Sequence, residues 1–238
     1  MNIILMGCEY VGKSTLAKAI GEWIIEKTGM PYVRWHDHFV LPQIDNHLVI
    51  RRGNDESIVV PGENKDPITE VEEEELLSLS PVLREQFHRY LIWRHLHPDV
   101  LLEEDYLLIN FYYADAVYAT LYYGFGEAGS FSDRRVRARA WDRELLKLAP
   151  DTLLVLVKAS PEVVVSRMKE NPRPRCILKE EDVPEVLNHF EEEFNDSLIR
   201  NRIVLDSTGN SPSETFIDFS QQIESKLTPK DHNRLVTG

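Results

Sequence analysis

The sequence predicts an α/β fold, a parallel sheet with helices on both faces. Short apolar runs at 2–6, 32–35, 106–109, 152–157 and 203–205 have the length of buried strands. The segments between them carry apolar residues at helical spacing, and strands alternating with helices build a parallel sheet. There is no internal repeat, low-complexity linker or composition break, so residues 1–227 are expected to form one domain.

The first run ends at Gly7 and gives way to a helix over 13–27, marked by Leu16, Ala17, Ile20, Ile24 and Ile25 and closed by Gly29 and Pro31. The second strand, 32–35, opens into His36-Asp37-His38. Residues 39–67 mix charge, glycine and proline and are expected as a loop; together with the stretch to residue 80 they form an insertion. Residues 70–97 have helical character, with a restart at Ser80-Pro81, since proline fits a first helical turn. After the third strand, 112–123 shows an aromatic helical face and 132–148 a helix capped by Ser132. The fourth strand, 152–157, leads through Ser160-Pro161-Glu162 into a helix ending at 168; another helix spans 182–201. A last strand and a helix over 211–227 follow, and the polar tail 228–238 is expected to be loose.

With 238 residues, 42% of them apolar, the chain is too hydrophobic for general disorder and long enough for a sizeable core. Its apolar runs fall far short of the roughly 20 residues a bilayer-spanning helix needs. No leader pattern precedes the first strand, and the two cysteines, Cys8 and Cys176, lack metal-ligand spacing. A disulfide framework is excluded and a reducing cytoplasm is expected. The 27 basic and 40 acidic residues give a formal charge of −13, which repels polyanions. Nucleic-acid polymers and membranes are therefore not expected partners, whereas a small phosphorylated ligand needs only a local basic site.

Such a site is written at the start. Residues 7–15 read Gly7-Cys8-Glu9-Tyr10-Val11-Gly12-Lys13-Ser14-Thr15, matching G-x-x-x-x-G-K-[ST] between a strand and a helix. Gly7 and Gly12 let the backbone wrap a phosphate with its N–H groups, and the helix beginning near Lys13 adds the positive end of its dipole. Lys13 supplies a mobile charge for the β- and γ-phosphates, the Ser14 hydroxyl a ligand for Mg2+, and Tyr10, Val11 and Thr15 complete the loop. A GTPase would need D-x-x-G soon after the first helix; the one instance, 206–209, comes far too late. The third strand ends in Asn110 in place of the acid of a motor ATPase. A small kinase fits best. Arg167, Lys169, Arg173 and Arg175, interrupted by Pro172 and Pro174, are the candidate lid, about 167–182, whose guanidiniums stabilise a phosphoryl group in transfer.

Taken together, the phosphate loop, the aromatic helix after the third strand, the late arginine-rich segment and the terminal strand followed by Asp206-Ser207-Thr208 resemble the thymidylate kinase and deoxynucleoside kinase group of P-loop kinases. The resemblance implies a three-layer P-loop NTPase fold with a five-stranded parallel sheet of order 2-3-1-4-5, ATP and Mg2+ as co-substrates, and a nucleoside monophosphate or nucleoside acceptor. It also implies a carboxylate after the second strand, matched by Asp37, and an acceptor-holding arginine before the third, matched by Arg89 or Arg94. The chain departs from the group after the third strand, where Asn110-Phe111-Tyr112 replaces Asp-Arg-Tyr or Glu-Arg-Ser. A different small-metabolite acceptor, or a regulatory protein that binds nucleotide without turnover, stays open on that account.

Asp37, at a strand's carboxyl end, is the candidate base for a hydroxyl acceptor or the organiser of Mg2+ waters. Phe39 and Tyr112 are candidate pocket aromatics, Trp93 is expected in the core, and Asp115 is a candidate partner for a sugar or base. Arg135 and Arg139, one turn apart, are the better pair of their helix for an acceptor phosphate. A homodimer is the oligomer considered.

Overall fold

The computed structural model describes residues 1–37, 48–58, 60, 69–102, 105–173 and 176–235. The expected strands appear as β1 (Asn2–Met6), β2 (Tyr32–Asp37), β4 (Tyr106–Ile109), β5 (Leu153–Lys158) and β6 (Arg202–Asp206), with a further strand, β3 (Leu48–Arg51), between the second and third. The sheet order is β3-β2-β4-β1-β5-β6. The pairs β2·β4, β4·β1, β1·β5 and β5·β6 are all parallel. Without β3, the order is the 2-3-1-4-5 that the resemblance implies.

β3 corrects the expectation of a loop over 39–67. It pairs antiparallel with β2, Val33 opposite Ile50 and Arg34 opposite Val49. Ile50 packs onto α1 (Lys13–Thr28) at Gly21, where a Cβ would come 2.3 Å from its Cδ1. Four residues are too few for periodicity to distinguish such a strand from loop.

β1 and β5 are buried almost throughout, as strands covered on both faces must be. The covering helices start where sequence chemistry starts them. Ser160 caps α7 (Pro161–Glu170), and Ser211 with Glu214 forms a capping box for α9 (Pro212–Ile223). α6 (Arg134–Leu148) is capped by Asp133, one residue after the expected Ser132; its carboxylate accepts from the N–H groups of Arg135 and Val136, and a carboxylate also complements the helix dipole. α8 (Val183–Asp196) stops short of the expected 201, because Ser197 turns extended and its hydroxyl takes the Ile199 N–H. The 70–97 region forms α2 (Glu70–Leu77) and α3 (Pro81–His95) and ends at His97, the N-cap of α4 (Pro98–Leu101). α5 (Phe111–Tyr118) runs on into a wider π-helical turn, Ala119–Tyr123.

The described part of the tail is not loose. Thr228 and Asp231 form a capping box that starts α10 (Pro229–Arg234), and Arg234 bonds both oxygens of the buried Asp105. A capped turn ending in a basic residue opposite a buried carboxylate has a reason to dock. Among the described residues no helix is long and apolar enough to cross a membrane.

Because β2, β4 and β1 are parallel neighbours, their carboxyl ends lie side by side. The loop after β1, Asp37 at the end of β2 and α5 after β4 therefore open onto one edge of the sheet, where ligands bind in open α/β folds.

Candidate active site

Gly7 has φ 149°, and a Cβ there would lie 2.2 Å from the Val157 carbonyl oxygen on β5. Gly12 has φ 99° and forms the N-cap of α1. Only glycine takes both positions without strain, and the loop between them wraps the end of the helix. Lys13 is 7% exposed, and its Nζ donates to the carbonyls of Gly7 (2.7 Å) and Cys8. Burial pushes the Lys13 pKa down, against the pull of Glu9. Burial likewise pushes the Cys8 thiol up, so Cys8 packs as a neutral group.

Ser14 Oγ donates to Asp37 Oδ2 at 3.4 Å, which joins the first turn of α1 to the end of β2. Both are hard oxygen donors at the mouth of the loop, a set that suits Mg2+.

Of the three lid arginines, Arg175 lies outside the described residues. Arg167 is spent on the fold: it donates to the Tyr10 carbonyl (3.0 Å) and to the Ser207 hydroxyl (3.1 Å) and carbonyl (2.8 Å). Ser207 in turn donates to the Val11 carbonyl. Arg167 thus ties the phosphate loop to the loop after β6, which corrects its expected role as a charge stabiliser; its position on the last turn of α7 leaves it level with the loop backbone. Arg173 is placed differently. Its guanidinium stands 4.6 Å from the centre of the Tyr10 ring, and its charge acts on both Glu9 and Lys13. Tyr10, Val11, Gly12, Thr15, Arg167 and Asn210 line a cleft of about 410 Å³ on this side of the loop.

The acceptor-side expectations fare unevenly. Phe39 lies outside the described residues. Tyr112 is fully buried and donates to Asp142, which also accepts from Tyr113, Arg139 and the Leu198 N–H. It belongs to the packing of α5 against α6, and its hydroxyl is committed there. Arg89 bonds Glu85 one turn back on α3, and Arg94 bonds Asp99. Arg135 and Arg139 bond Glu192 and Glu193. Trp93, expected in the core, is 58% exposed on the outer face of α3. Asp115 sits 1% exposed on α5, 2.8 Å from His88 Nδ1 and 3.6 Å from Arg134 Nε, and Arg134 reaches Glu85 at 3.0 Å.

No family model and no curated protein matches this sequence. Solved structures do. A deoxyadenosine kinase from M. mycoides, with products dCMP and dCDP bound, is 14% identical with a TM-score of 0.55, over 95% of this chain and all 100% of that one. The YorR protein of Bacillus subtilis, in complex with phosphorylated GDP, is 14% identical with a TM-score of 0.54, over 96% of this chain and 99% of that one. The fold is that of the P-loop kinases.

Within this P-loop kinase fold, two groups escaped the reading of the sequence. Glu9 lies inside the phosphate loop, 7% exposed, with the Tyr118 hydroxyl donating to its Oε2. Its Oε1 is buried without a hydrogen-bond partner among the described residues, and burial pushes its pKa up. An acid between the two glycines of a phosphate-binding motif was the available signal, since it repels the ligand the motif attracts. The other is His88, which stands beside Arg89 in sequence but on the face of α3 turned toward Asp115.

Proposed function

We propose that the chain is an ATP- and Mg2+-dependent phosphotransferase whose acceptor is a nucleoside or nucleoside monophosphate, as in thymidylate and deoxynucleoside kinases. The observation that carries this reading is the phosphate loop itself. Its lysine is withheld from solvent on the loop's own carbonyls, and Arg173 stands over the ring of Tyr10 in the same loop. Lys13 exchanges those carbonyls for the β- and γ-phosphates, and the loop N–H groups and the start of α1 hold the rest of the chain of phosphates. Ser14, with Asp37 behind it, would hold Mg2+, which when bound offsets phosphate charge. The acceptor oxygen attacks the γ-phosphorus, the bond from that phosphorus to the bridging oxygen breaks, and ADP leaves with Arg173 stabilising the charge. Asp37 takes the proton of a hydroxyl acceptor. The 167–182 segment acts as the lid.

Arg89, Arg94, Arg135 and Arg139 are each bonded to a carboxylate, which favours a neutral hydroxyl acceptor over one carrying its own phosphate. Asp115 with His88 offers a donor–acceptor pair for a sugar or base. The strained backbone at Asn110 (φ 62°) and Phe111 (φ 45°), where the related kinases carry an acid and an arginine, supports a second reading, a kinase of another small metabolite. The exposed Tyr90 and Trp93 on α3 support a homodimer through that face. The setting is a reducing cytoplasm.

The test is ADP release coupled to a panel of nucleosides, nucleoside monophosphates and small alcohols. Acceptor-stimulated release with a nucleoside is expected. Stimulation by a non-nucleoside alcohol alone moves the assignment to the second reading, and ATP binding without any stimulation contradicts both.

A further inference from the structure

Tyr10 is an unusual residue for its place. It is a non-glycine at φ 63° in the middle of a phosphate loop, a conformation that persists only where its surroundings impose it. Three contacts from the α7 segment converge on it. Its carbonyl accepts from Arg167 at 3.0 Å, its hydroxyl accepts from the Arg173 N–H at 3.2 Å, and its ring lies under the Arg173 guanidinium at 4.6 Å. One residue of the loop thus grips the end of α7 and, six residues on, both the backbone and the charge of Arg173. That distance to the ring is within the range of a cation–π contact. Arg173 lines the same cleft as Gly12 and Thr15, so the grip keeps it beside the phosphate cup.

We propose that Tyr10 is a positioning residue that holds the Arg173 guanidinium at the mouth of the phosphate loop before any ligand arrives. The inference rests on the phosphotransferase reading for its catalytic consequence, but not for the contact itself. Pre-set in this way, Arg173 meets the transferring phosphoryl group without a search, and the cost of ordering its segment is met in the folded protein and not at the moment of transfer.

The test compares Tyr10→Asn with Tyr10→Phe in the full chain. Asparagine tolerates a left-handed backbone, so it removes the ring and hydroxyl while keeping the loop's path. Phenylalanine keeps the ring and drops only the hydroxyl. In the ligand-free protein, hydrogen exchange at the Arg173 amide, whose N–H the Tyr10 hydroxyl accepts, should rise at least tenfold in Tyr10→Asn. In turnover, kcat should fall by the same factor as in Arg173→Ala, with the ATP dissociation constant within threefold of the unaltered protein. Tyr10→Phe should restore most of that rate. The double variant Tyr10→Asn/Arg173→Ala should be no slower than Arg173→Ala alone. Unchanged exchange in Tyr10→Asn overturns the proposal, as does faster exchange with kcat intact or additive losses in the double variant. An unaltered protein that turns over no acceptor counts against the phosphotransferase reading instead, and exchange alone then decides whether Tyr10 holds Arg173.

Discussion

Ser14 Oγ lies 3.4 Å from Asp37 Oδ2, so a helix that leaves β1 and a strand two places away in the sheet meet at one point. Replacing Asp37 by Asn keeps the hydrogen-bonding shape and removes the base. With a hydroxyl acceptor, kcat should fall by about 10²–10⁴. Steady-state kinetics at saturating ATP and Mg2+ checks this. A rate equal to that of the unaltered protein removes Asp37 from the chemistry.

Lys13 and Glu9 are both pushed by burial toward their neutral forms, Lys13 downward and Glu9 upward. A triphosphate brings negative charge next to both, which favours the protonated form of each. Nucleotide binding should therefore take up protons, and affinity should weaken as pH rises. Titration calorimetry in buffers of different ionisation enthalpy measures this directly. Proton release on binding across the pH range contradicts the placement of the phosphates beside these two groups.

Arg167 and Arg173 belong to one basic segment but should fail differently. Arg167→Ala breaks three hydrogen bonds that hold the phosphate loop to the loop after β6, so it should lower unfolding stability by roughly 1.5–3 kcal/mol. At saturating ATP its kcat should suffer less than that of Arg173→Ala. Denaturant unfolding and kcat on the two variants separate the roles, and the reverse ranking would place Arg167 on the substrate.

The contrast between these arginines shows what a sequence carries and what it withholds. The cup was legible because Gly7, Gly12, Lys13 and Ser14 act through backbone geometry and fixed spacing, and these are written locally. The five parallel strands were legible because burial on both faces leaves near-continuous apolar runs such as Leu153–Lys158. Side-chain partners are set by contacts far along the chain. Nothing near Tyr112 announces Asp142, thirty positions on, and nothing near Arg139 announces Glu193, 54 positions on, whereas Glu85, one turn before Arg89, was a readable i,i+4 partner. β3 escaped for a related reason, since its packing partner is Gly21 on α1.

Asp105 and Arg234 anchor the last helix. Burial works against the Asp105 carboxylate, but the Arg234 guanidinium and the Met1 amino group, 2.7 Å away, together outweigh it and hold its pKa below the ordinary value. A depressed carboxyl contributes stability above its unfolded pKa of about 3.9, and that contribution is lost as pH falls through the folded value. Asp105→Asn should thus cost about 3–5 kcal/mol at neutral pH, as expected for breaking a buried pair, with the difference shrinking in strong acid. Urea unfolding at both ends of that pH range tests it. A cost independent of pH would mean that the pair's charge is not what docks α10.

The central claim is that the loop from Gly7 to Thr15 grips a triphosphate through Lys13. Titration of ATP into the unaltered protein and into Lys13→Ala, with and without Mg2+, addresses it most directly. The prediction is Mg2+-dependent binding that weakens by about 10–100-fold in the variant, as expected for losing a charged hydrogen bond, while its thermal unfolding stays close to that of the unaltered chain. Equal affinity in the two proteins, or no Mg2+-dependent binding of any purine triphosphate by the unaltered one, would contradict it.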